Sequence, residues 1–237
     1  TRRSSDLYGP AFYIFPDSKL DNNQALELAE KLDLVNIIKE YGGRIMVVNP
    51  SSDKWQDQDL ENFRRLIGMG GAPTNVKVIG IGSGATFVNR QLAATDLTGV
   101  IAGIVSIDGD PGKICKLPVP AFIGGKNAAK AAKPYQATSD AAPADPLQKV
   151  VVNTDKKASL ETLFAEAWDE VLSANYRYNN LYRTFYMSRG IDNPEGVKNY
   201  ELVSIPVFEK LGIQRNVAYC SNIYLLQILV LFLSYLQ

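Results

Sequence analysis

VKVIGIGSGATF, residues 76–87, passes from an apolar run through three alternate glycines into a helix-forming stretch, and the reading of that passage decides the fold. Val76, Val78, Ile79 and Ile81 suit a buried strand, and Gly80, Gly82 and Gly84 let the backbone turn directly into a helix predicted over residues 86–94. A buried strand feeding a helix belongs to a strand-helix-strand unit, so the same alternation is expected on either side. Upstream, AFYIF at 11–15 reads as a strand closed by Pro16-Asp17-Ser18. Residues 24–41 carry Leu26, Ala29, Leu32, Leu34, Val35, Ile37 and Ile38 near helical spacing before Gly42-Gly43, RIMVV at 44–48 is a strand ended by Asn49-Pro50, and residues 57–67 are a helix. Downstream, strands are predicted at 100–107, 119–123 and 150–152. A further helix is predicted over 159–175, opened by Ser159 with Thr162 where a full capping box has Glu or Gln. The Ala-, Lys- and Pro-rich stretch 126–145 reads as a mobile surface loop, a linker before a binding lid. The expected class is α/β, a mostly parallel sheet with helices on both faces in three layers.

Charge and composition narrow the function. Lys and Arg number 25 and Asp and Glu number 25, so the net charge of zero gives no electrostatic pull towards nucleic acid. With 46% hydrophobic and 21% charged residues the chain has an ordinary globular composition, which excludes disorder and coiled coil. Cys115 and Cys220 build neither a disulfide framework nor a zinc site by themselves, and no cofactor or metal is expected. The sequence contains no histidine, so a relay that needs an imidazole base cannot be completed by this chain alone. Residues 1–6 (TRRSSD) lack the apolar stretch of a signal peptide, and the expectation is a soluble protein, cytoplasmic ahead of secreted. After Arg215 the charges stop, and residues 217–237 hold 16 apolar residues and 5 polar ones. The densest run, 223–236, is shorter than a membrane span needs, so membrane contact through this tail is the disfavoured reading beside a covered helix or a non-native tail.

Two mechanisms call for small residues between a strand and a helix. In a nucleophile elbow, glycines permit a sharp turn that lifts a serine Oγ above the sheet beside an oxyanion-binding N–H. In a dinucleotide site, G-x-G-x-x-A brings the backbone close to a pyrophosphate. Gly80, Gly82 and Ala85 match the second pattern, and Asp108 ends the next strand as a ribose-binding acid, although later than the usual spacing of ~20 residues. The position on the third strand favours the elbow, whereas Ile81 stands two before Ser83 where the elbow wants a small residue. A tight turn without chemistry is the third reading.

Pro16-Asp17 after the first strand, Val48-Asn49-Pro50 after the second, Trp55, VIGIGSGATF around Ser83 and the later PVPAFIGG fall in an order that resembles α/β-hydrolases, in the branch of poly(3-hydroxybutyrate) depolymerases and feruloyl-type esterases. The resemblance covers residues 8–175 and rests on layout and a degenerate elbow. It implies Ser83 as nucleophile, with the backbone N–H groups of Gly84 and of Asp17 or Ser18 as oxyanion donors. It places the triad acid near Asn127, where an amide replaces the carboxylate, with Asp140, Asp145 and Asp155 as substitutes. The histidine that should come last is missing. NYRYNN at 175–180 and VFEKLG at 207–212 resemble the connector of bacterial two-part members in which a second hydrolase half follows. The implied organisation is a hydrolase-like domain over 1–175, a Tyr-rich connector over 176–216 and the uncharged tail over 217–237.

Other candidates are weaker. Tyr176, Tyr178, Tyr182, Phe185 and Tyr186, interleaved with Arg177 and Arg183, read first as a partly buried amphipathic surface and second as a stacking platform. Asp57 with Asp59, and Asp108 with Asp110, are acid pairs whose ordinary place is a solvated loop. Three functions remain: a serine esterase or depolymerase relative acting on a small or polymeric ester with an incomplete triad, a non-catalytic binding or scaffolding half that positions a second hydrolase half, and a dinucleotide-binding module using Gly80, Gly82 and Asp108.

Overall fold

Six strands among the described residues, β1 (Ala11–Phe15), β2 (Arg44–Val47), β3 (Val76–Ile81), β4 (Ile101–Ile107), β5 (Ala121–Gly124) and β6 (Val150–Asn153), form one sheet in the order β2-β1-β3-β4-β5-β6 with every pair parallel. The computed structural model describes residues 10–41, 43–69, 76–99, 101–140 and 149–173. Strand alternation sets the two faces. Phe12, Ile14, Ile79, Val105, Ile107 and Phe122 join one core under α1 (Asn22–Lys31), α2 (Leu34–Tyr41) and α7 (Leu160–Ala167). Tyr13, Phe15, Val78, Ile104 and Ile123 join the other under α3 (Asp57–Met69), α4 (Ser83–Phe87), α5 (Ala128–Ala131) and α6 (Lys133–Asp140). The chain moves from β1 to β2 with its helices on the first face. It then returns past β1 to β3 and on towards β6 with its helices on the second, as a uniform crossover handedness requires. The three-layer α/β class is therefore as the sequence predicts.

Three local expectations are corrected. The helix expected over 24–41 is two helices, broken at Asp33, whose φ is +53°. Asp21 opens the first by a full capping box with Gln24. The stretch 126–145 is not a plain loop over its described part, because α5 and α6 occupy it. Ala128, Ala131, Ala132 and Tyr135 are buried at helical spacing, a stripe of small side chains that lets these helices lie close to the sheet. The helices after β3 and β6 both change from α to π geometry in their second halves, at Val88–Leu92 and Trp168–Leu172.

Lys77, in the middle of the sheet, is fully buried, and its Nζ donates to the carbonyl of Leu172 at 2.6 Å. A buried ammonium is tolerable only when hydrogen-bonded, and here it occupies an end carbonyl of the last described helical turn. The contact ties the centre of the sheet to a turn 95 residues later.

Candidate functional site

In a sheet of this order the chain reverses direction between β1 and β3, and the carboxyl ends of those two strands frame the crevice where open α/β sheets take ligands. The segments leaving them are Pro16-Asp17-Ser18 and Gly82-Ser83-Gly84. Beneath them, Trp55 stacks on Phe87 with centroids 4.8 Å apart and leans on Phe15, and its Nε1–H donates to the Pro16 carbonyl at 3.2 Å. An aromatic block thus fixes the first loop from below.

The strained residue of the strand-to-helix turn is Gly82, with φ +56° and ψ −118°, and Ser83 is already the first residue of α4. The expectation that Ser83 stands at the apex is corrected by one residue. Gly80 and Gly84 flank Gly82 symmetrically, so the elbow spacing G-x-X-x-G centres on position 82, which has no side chain. Gly84 is buried where α4 starts against the end of β1, and a Cβ there would strike the Phe15 and Pro16 carbonyls. Its N–H therefore belongs to the second residue beyond the apex, whereas an elbow uses the first, which here is Ser83.

Asp17 occupies that donor. Its Oδ1 accepts the Ser83 backbone N–H at 2.6 Å, and its backbone carbonyl accepts a hydrogen bond from the Ser83 hydroxyl. A Cβ built on Gly82 would meet Asp17 Oδ1 and come within 2.5 Å of its Cγ. The carboxylate therefore fills the space that a side chain at the apex would need. Sequence reasoning gave Asp17 a backbone role, and the structure gives it a side-chain one.

The acid side of the crevice is equally committed. Asp108, at the end of β4 with φ +57°, accepts the Lys126 backbone N–H at 3.0 Å. Asn127 donates from Nδ2 to Asp110 Oδ1 at 3.0 Å, and Arg90 Nη2 donates to Asp110 Oδ2 at 3.0 Å. Asn89, buried in the π turn after α4, donates to the Asp110 carbonyl and accepts the Tyr135 hydroxyl, both at 2.9 Å. Burial pushes the Tyr135 phenol well above its ordinary range, with the Cys115 thiol adding to the effect, so it acts here as a neutral donor. Asn89 and Tyr135 had no motif to announce them. The spacing of Ala128, Ala131, Ala132 and Tyr135 is a sequence signal that could have found Tyr135, but reading the stretch as a loop passes over it.

The remaining candidates lie apart. Asp155 follows β6, three strands from β3 and so roughly 14 Å across the sheet, and its carboxylate closes a turn onto the Lys157 N–H. Asp140 is exposed at the end of α6, and Asp145 lies outside the described residues. Asp59 is buried and accepts the N–H groups of Ser51 and Gln56, which makes it a structural acid at the start of α3. Gly80 and Gly82 do line a strand-to-helix turn, but Asp108, the acid of the dinucleotide reading, is folded onto Lys126. Among the described residues no cluster of three or more His, Cys, Asp or Glu side chains is arranged to hold a metal, and no helix is long and apolar enough to cross a membrane. The Tyr-rich stretch from Tyr176 to Tyr186 and the tail 217–237 lie outside the described residues. No family model matches the chain, and no curated protein is similar to it.

Proposed function

We propose that this chain is a non-hydrolytic α/β-hydrolase-like domain that binds or positions a partner, a second hydrolase half or an ester polymer, rather than cleaving esters itself. One observation carries the reading: the apex of the strand-to-helix turn is Gly82, and the Asp17 carboxylate sits where a nucleophile side chain would stand, holding the Ser83 N–H that an oxyanion would require. The hydroxyl one residue on does not make up for this. Ser83 donates to a backbone carbonyl, which accepts a hydrogen bond but cannot take the proton as a general base must. The sequence offers no imidazole to do so. Asn127, at the acid position, is an amide bound to Asp110 and cannot balance a developing imidazolium. Steady-state assays with p-nitrophenyl acetate and butyrate are expected to show no saturable turnover, and the same trace for Ser83→Ala. Saturable turnover that disappears in Ser83→Ala would overturn the proposal.

A further inference from the structure

We draw no further inference here: the strongest candidate, the groove between α2 and α7 floored by Leu32, Phe164 and Trp168, is an apolar face of the helix layer, and nothing in the structure shows what covers it.

Discussion

Asp17 sends a side-chain oxygen and its carbonyl oxygen to Ser83, and Gly82 beside them leaves the room that the carboxylate fills. The two residues form a complementary pair, which a mutational cycle can measure. Gly82→Ser should cost about 1–3 kcal/mol for the positive φ alone, plus the displacement of Asp17. In an Asp17→Gly background the steric part vanishes, so the cycle should show a coupling of about 1 kcal/mol or more in urea unfolding. Strictly additive costs would mean that the carboxylate does not fill that space. The turn itself was legible in the sequence, since three alternate glycines after an apolar run have few other uses. Its register was not. Ser83 drew the nucleophile role because it matches that position in the hydrolase resemblance, whereas the apex is fixed by a backbone angle and by a carboxylate 66 residues upstream. Neither leaves a mark on local composition.

Strands were the most legible elements, because a strand buried on both faces reads as a near-continuous apolar run, as β1, β4 and β5 do, whereas β3 carries Lys77 within its run and the edge strands β2 and β6 are half-buried. Helices were less so. The leucines of 24–41 keep their period across the break at Asp33, and the alanines of α5 and α6 look like a linker until their spacing is counted. Two contacts between elements carry predictions. Lys77→Met keeps the aliphatic stem but leaves the Leu172 carbonyl without that donor, for an expected cost of about 1–3 kcal/mol in urea unfolding and faster amide exchange over residues 168–172. An unchanged stability would show that the bond does not hold the last turn in place. The second contact joins α1 to α7. The Glu161 carboxyl is held below the ordinary glutamate range by its own backbone N–H, then by the Ser159 hydroxyl and Lys31. A carboxyl whose folded value is the lower one adds stability that is complete above the unfolded glutamate range and fades as pH falls through the folded value. Glu161→Gln should therefore be less stable than the wild type near neutrality and equal to it in strong acid. A gap that persists in strong acid would contradict this origin.

At the scale of the whole molecule, an all-parallel sheet with one reversal creates a single crevice between β1 and β3, and the fold would place a ligand or a reaction there. Fold alone does not say which, since function lives in the residues that line such a crevice. Here they are engaged with one another: Asp17 with Ser83, Asp108 with the Lys126 backbone, and Asp110 with Asn127 and Arg90. The crevice closes on internal partners, which suits a domain that presents a surface rather than one that performs acyl transfer. The lack of histidine leaves the sequence without an imidazole base, and the hydrogen bonds between the loops are the observation on which the proposed reading rests. The most direct test is treatment of the purified, folded full chain with a fluorophosphonate probe for activated serines, with Ser83→Ala alongside. The account predicts no labelling of either protein above the heat-denatured background, whereas stoichiometric labelling of the wild type that is lost in Ser83→Ala would contradict it.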